Sequence, residues 1–313
     1  MWRGRHRMTL LRNFKFLELL VLLLLLGSES AWGQACCAGG SALTPGRLAL
    51  HEEAAVGISI RLTDFTSSFD AARAVVPASP GATDVELEED VLGTLRVLER
   101  GQVTVLVPVV ETFRHVPGLS NAGGGLGDVN LAGRYDVLSA RESAWAPGIA
   151  ALLGVTVPSG RTPESAHGAL AADATGIGAF QLNAGLALEQ TFGHVLINLT
   201  GIVSQRTARS VQGLSELLGP QLLALAGGGY AFENDAAVAA SFTYTVETDA
   251  SIGGVRAPGS GRALSALGVS GSLPLGELWR LQGGAFFDVP ARGFGRNQPA
   301  GPGVTLTLLR TWI

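Results

Sequence analysis

Residues 128–138 read DVNLAGRYDVL, Asp128 to Leu138, and their alternation decides the fold. Val129, Leu131, Gly133, Tyr135 and Val137 take one face, and Asp128, Asn130, Ala132, Arg134 and Asp136 take the other. A helix would scatter these charges around its circumference, whereas the two-residue period of a strand gathers them on one side. The segment is therefore read as a strand with one apolar face and one charged face.

The same pattern recurs on both sides of it. In Phe180–Phe192, the face with Leu182, Leu186 and Leu188 opposes Gln181, Asn183 and Glu189; in Val195–Arg206, the face with Ile197, Leu199 and Val203 opposes Asn198, Ser204 and Arg206. Phe242, Tyr244 and Val246 oppose Thr243, Thr245 and Glu247, Trp279 and Phe287 oppose Arg280 and Asp288, and Ile58 and Ile60 oppose Ser59 and Arg61. Strands are expected at 56–66, 85–98, 102–116, 127–139, 148–159, 178–192, 194–207, 221–233, 236–249, 262–275, 278–290 and 302–313. That makes twelve, an even number, as in single-chain outer-membrane barrels. In the last strand Arg310 shares a face with Val304, Leu306, Leu308 and Trp312, and its facing stays open.

The connections separate a membrane barrel from a soluble sandwich, because alternation alone suits both. Glu99-Arg100-Gly101, Gly193-His194, Asn234-Asp235 and Gly276-Glu277 are tight hairpin turns, and 140–147 is the one longer connection on their side. Between them lie polar, Gly/Pro-rich loops at 67–84, 117–126, 160–177, 208–220, 250–261 and 291–301. Short turns alternating with long loops are the rhythm of an outer-membrane barrel. Pro108, mid-strand in VTVLVPVVETF, predicts a bulge or a locally broken ladder.

The 313-residue chain is 47% hydrophobic and 15% charged. Its one continuous apolar run, Phe16–Leu26, is too short to span a bilayer comfortably, which takes about 20 residues. Arg3, Arg5, Arg7, Arg12 and Lys15 precede it and small residues through Gly33 follow, the pattern of a secretory signal peptide over 1–33. Without these residues the formal charge falls to −7 and no lysine remains, so nucleic acid is excluded as a partner. Residues 34–55 are then an N-terminal periplasmic segment, and 56–313 form an all-β, single antiparallel transmembrane barrel of about twelve strands.

GGGLGDVNLAGRYDVL (123–138), GVTVPSGRTP (154–163) and GIGAFQLNAGLALEQTFG (176–193) carry a family resemblance. They resemble the outer-membrane "transporter" barrels grouped with meta-pathway phenol degradation proteins. The resemblance covers roughly residues 120–313 and implies a barrel with a transport role, hydrophobic compounds being its narrower version. It carries over no catalytic residue.

Candidate site residues are those expected to line the lumen: Arg61, Glu86, Glu88, Asp90, Arg96, Asp128, Asn130, Arg134, Asp136, Asn183, Glu189, Arg206, Glu247, Arg280 and Asp288. Glu86, Glu88 and Asp90 are read as a strip that attracts cations, as carboxylate rings do in pores, as a solvated face just outside the membrane, or as partners for Arg61, Arg96 and Arg134 across the barrel. Cys36 and Cys37, adjacent and just past the cleavage region, fit a linker, a strained or intermolecular disulfide, or metal capture with His51 and Glu52. No metal or other cofactor is expected. His115 and Ser120 stand at loop spacing, no Gly-x-Ser-x-Gly elbow occurs, and no enzymatic activity is expected.

These readings imply a Gram-negative outer-membrane channel for small solutes, whose partners are outer-membrane lipid, a small-molecule solute and the barrel-assembly machinery. The rival reading is a structural or adhesive barrel whose lumen is plugged, with residues 34–55 as one source of the plug and Arg–carboxylate bridges as another.

Overall fold

Twelve strands close into one antiparallel barrel: β1 Ala54–Asp64, β2 Thr83–Leu98, β3 Gly101–Val116, β4 Val129–Leu138, β5 Gly148–Val157, β6 Gln181–Phe192, β7 Val195–Arg206, β8 Gln221–Ala231, β9 Ala237–Glu247, β10 Arg262–Leu275, β11 Trp279–Asp288 and β12 Pro302–Trp312. The computed structural model describes residues 47–49, 51–139 and 146–313. Expectations for the signal peptide, for Cys36 and Cys37 and for most of the turn at 140–147 lie outside the described residues. Each strand pairs with its neighbours in sequence. The ring closes where β1 pairs with β12, from Ala54 opposite Trp312 to Thr63 opposite Gly303. The seam is tight: a Cβ on Gly57 would lie 2.4 Å from the Leu309 side chain and 2.7 Å from the Leu308 carbonyl.

Alternation along the strands sorts the side chains into an outer and an inner wall. Val56, Ile58, Ile60 and Leu62 of β1, Leu182, Leu186 and Leu188 of β6, and Val304, Leu306 and Leu308 of β12 are all exposed on the outer wall. In water so broad an apolar surface would be unfavourable by about 25 cal/mol per Å²; against lipid it is the favoured neighbour. Tyr135, Phe192, Tyr230, Trp279 and Trp312 lie outward near the tight-turn end, and Phe113, Phe180 and Phe287 toward the loop end. Two aromatic belts bracketing an apolar band mark the two interfaces of a bilayer.

The open facing of β12 is settled by its outward leucines. Arg310 shares that wall, its guanidinium 4.9 Å from the Trp312 ring centre and 5.7 Å from that of Trp279. The belt thus shelters a cation whose long stem reaches the interface. Two carboxylates break the apolar wall higher up: Glu89, between Ile60 and Val109, and Glu111, between Leu87 and Gly124.

The loop end is more ordered than its glycines suggest. Residues 117–126, expected as loop, are mostly strand: Leu119–Leu126 pairs with Val109–Val116 and lengthens the β3–β4 hairpin beyond the barrel. The glycine run 123–125 fits there because Gly124 packs on the backbone of Val110 and Glu111, where a Cβ would be 2.4 Å from a carbonyl. At Pro108 the ladder with β2 continues, Asp90 opposite Pro108. The irregularity falls on the other side, where β3 passes from β4 to Leu119–Leu126 and Gly127 donates its N–H to the Pro108 carbonyl. Short strands also join loop to loop, Gln298–Ala300 with Ser67–Phe69 and Leu214–Leu217 with Ser251–Ile252.

Candidate functional site in the barrel lumen

The tight-turn mouth is occupied from within by the chain segment that leads into β1. Leu48 and Ala49 are buried, and Leu48 donates its N–H to Gln102 Oε1 at 3.0 Å. Arg47 reaches inward to Glu189, and to Asp136 at 3.3 Å. Both carboxylates also bind Arg134, each at 2.9 Å. Glu52 caps the Ala49 N–H at 2.7 Å and meets Arg280 at 3.4 Å. Arg96 holds the segment's backbone, donating to the Ala49 and Glu52 carbonyls at 2.6 and 2.9 Å. Glu52 therefore serves this mouth, and among the described residues no group of three or more His, Cys, Asp or Glu is placed to hold a metal.

Deeper in, the inner wall of β5–β8 is aliphatic. Ala150, Leu152, Ala187, Ile202, Leu223 and Leu225 form one buried cluster there. Ile202 is 1% exposed although it lies on an inner face, so other side chains cover it within the barrel. Nearer the loop end the same strands turn polar. Arg206 binds Glu247 and donates to Gln181 Oε1 at 2.8 Å, and Arg262 chelates Glu247 at 2.9 and 3.0 Å. Gln181 donates to Asn183 at 2.8 Å, and Asn130 to Thr156 at 3.0 Å.

On the far side of the ring, β2 sets Glu86, Glu88 and Asp90 on its inner face. Arg61 pairs with Glu88 and is within electrostatic reach of Glu86, Asp90 and Asp288. Asp288 accepts the Gly301 N–H at 3.0 Å. Asp90 Oδ1 is buried and has no hydrogen-bond partner. Its cross-strand neighbour on β3 is Pro108, which has no N–H and no polar side chain to offer.

Asp128 serves the loop end, where its carboxylate accepts the N–H groups of Gly160 and Ile177 at 2.9 and 2.7 Å. That pins the connection between β5 and β6, and Arg114 holds the same loop by its Leu170 and Ala171 carbonyls, both at 2.9 Å. In this loop the backbone N–H of His167, then the Arg161 guanidinium, hold the Asp173 carboxyl well below the usual carboxylate range. His115 and Ser120, expected at loop spacing, are instead a cross-strand pair with Nδ1 2.7 Å from Oγ, because Pro117-Gly118 turns the hairpin tightly.

Sequence reasoning missed Arg47, Glu52, Arg114 and Arg262 as partners of the inner-wall groups. Arg47 and Glu52 stand outside any strand, so no periodicity marks them. The aliphatic patch carried a signal that alternation alone does not resolve, since Leu152 and Leu223 sit on strands whose two faces are both apolar, and Ile202 stands among Asn198, Thr200 and Ser204 on the polar face of its strand.

A closed twelve-stranded barrel with an apolar band, aromatic belts and a polar inner wall is the fold of an outer-membrane β-barrel. Among solved structures the chain is similar to the COG4313 outer membrane channel from Pseudomonas putida F1, at TM-score 0.64 and 13% identity, covering 84% of this chain and 98% of that one. It also matches the translocator domain of the autotransporter NalP from Neisseria meningitidis, at TM-score 0.49 and 8% identity, over 96% of this chain and 95% of that one. No family model and no curated protein matches the chain.

Proposed function

We propose that this barrel passes small solutes, hydrophobic ones included, across the outer membrane, with the state described here closed at the tight-turn mouth. One observation carries the reading: the segment in that mouth is held by side-chain ion pairs and a few hydrogen bonds, not by strand pairing. A plug of that kind leaves without breaking the barrel. Likeness to a solved outer-membrane channel supports the fold on which this rests.

In this reading the chain is exported by a cleaved signal peptide, inserts through the barrel-assembly machinery, and performs no chemistry on its solute. The exposed His115–Ser120 pair is then a rim contact of the hairpin. The competing reading, a filled and purely structural barrel, draws on the 1% exposure of Ile202 and of Ser204 on the inner wall. Planar-bilayer recordings decide between them. The mature chain and a variant lacking residues 34–52 are compared at several salt concentrations. The channel reading expects discrete steps that become longer-lived in the truncated barrel. Silence from both, with heat-modifiable folding intact, would leave the structural barrel standing.

A further inference from the structure

Glycine weakens a strand interior, and in a sheet it marks a bend or a place where something approaches the backbone closely. Gly57, Gly124, Gly185 and Gly303 have such a reason within the barrel, since a Cβ on each would lie within 2.4 Å of a neighbouring atom. Gly228, Gly271 and Gly283 have none. A Cβ on them would come no nearer than 3.8, 3.6 and 3.8 Å to any neighbour, and none of the three has a positive φ. They stand on β8, β10 and β11 and share the outer face with the exposed Tyr230, Val269 and Phe287.

Together these glycines open a cleft of about 750 Å³ in the lipid-facing wall, a volume in the range of small-molecule sites. The register places its floor. Tyr230, Val238, Gly271 and Gly283 form one cross-strand row, and Gly228, Ala240, Val269 and Ala285 form the next toward the loop end. The cleft lies in the apolar band, so its occupant comes from the membrane and not from water.

A cation on the same wall narrows the chemistry. The arginines of the other strands turn inward to carboxylates or backbone carbonyls. Arg310 is exposed on the outer wall, and among the described residues its contacts are the rings of Trp279 and Trp312. Two indoles hold a guanidinium at the level of the headgroups without neutralising it. Arg310 lies directly opposite Trp279 at the foot of β11. From Trp279 to Gly283 along that strand is about 13 Å, at about 3.3 Å per residue. Half the hydrocarbon core is about 15 Å thick, so an acyl chain hung from a phosphate at Arg310 reaches the cleft.

We infer that the cleft and Arg310 together bind one glycerophospholipid with an anionic headgroup, from the leaflet at the tight-turn end. Its phosphate sits on the guanidinium and an acyl chain fills the cleft over Gly271 and Gly283. A zwitterionic headgroup brings its own ammonium to the phosphate, whereas one of net negative charge leaves the phosphate free to complement Arg310. The site belongs to the outer wall and is independent of conduction through the lumen.

The test is native mass spectrometry of the refolded mature chain, released from detergent containing phosphatidylglycerol or phosphatidylcholine with the same acyl chains. The parent is expected to retain one phosphatidylglycerol about tenfold more readily than phosphatidylcholine, the effect of one charge-assisted hydrogen bond. Arg310→Gln should retain the two lipids alike. Gly271→Leu and Gly283→Leu fill the cleft while Arg310 stays in place, and each should lower retention of both lipids about tenfold, the loss of roughly two buried methylenes. Leu186→Ala, on the lipid-facing wall of β6 outside the cleft, should bind as the parent does. Each variant is first checked for heat-modifiable folding. Equal retention of the two lipids by the parent overturns the assignment, as does undiminished phosphatidylglycerol on folded Arg310→Gln or Gly283→Leu. Dimers of the parent that vanish in the leucine variants would give the cleft to a second copy of the chain and overturn it as well.

Discussion

Removing the Arg47 side chain should unlatch the tight-turn mouth without harming the barrel. Arg47 makes two contacts, to Glu189 and to Asp136, from a side chain only 14% exposed. Hydrogen bonds to charged groups contribute about 1.5–3 kcal/mol each in a partly buried setting. Two terms hold the net value at the low end. Ordering a long arginine side chain costs about 1.5–2 kcal/mol. Both carboxylates also keep Arg134, so Arg47→Ala leaves neither of them orphaned. The net loss is about 2 kcal/mol, or about 30-fold in the ratio of seated to released segment. Amide exchange reads that ratio directly, through the Leu48 N–H on Gln102 and the Ala49 N–H on Glu52. Protection at these amides should fall about 30-fold in Arg47→Ala, while exchange in β6 and β7 stays as it was. Unchanged protection at Leu48 and Ala49 would refute the latch, as would parent amides that already exchange at the free-chain rate.

Three further outcomes follow from the geometry. Glu89→Leu replaces a lipid-facing carboxylate between Ile60 and Val109 and should raise resistance to urea in liposomes by about 1–2 kcal/mol. Gly57→Ala should destabilise the barrel by about 1–3 kcal/mol and lower the temperature of its heat-modifiable shift, because the new methyl meets Leu309 and the Leu308 carbonyl across the seam. The depressed Asp173 carboxyl contributes stability that is present above the ordinary aspartate value and lost only as pH falls through its lowered one. Proteolysis of the 158–180 loop should therefore stay slow down to about pH 4 and quicken only in stronger acid, whereas Asp173→Asn should be cut readily at neutral pH.

The strands were legible because each is a local pattern. The period of two in Asp128–Leu138 carried β4 to within a residue or two at each end, and similar agreement holds around the ring. The Leu119–Leu126 strand was not legible, since Gly123, Gly124 and Gly125 read as loop until their packing against β3 is seen. The inner faces of single strands could be named from alternation, but the pairing of Arg206 with Glu247, or of Arg134 with Glu189, depends on register across strands that no single segment encodes. Least legible was the seat of Arg47, 142 residues from Glu189 and outside any strand.

The seam between β1 and β12 has a bearing on how the molecule is made. Its pairs, such as Ala54 with Trp312, join the two ends of the ring and are the longest-range contacts in it. Every other ladder forms between neighbours along the chain, so hairpins can zip in order of synthesis while this last contact waits for the final strand. Until then the growing sheet carries two unpaired edges, each a template for the wrong partner. The apolar outer wall makes such an open sheet sticky, so the longer closure waits, the more of the chain is exposed to aggregation.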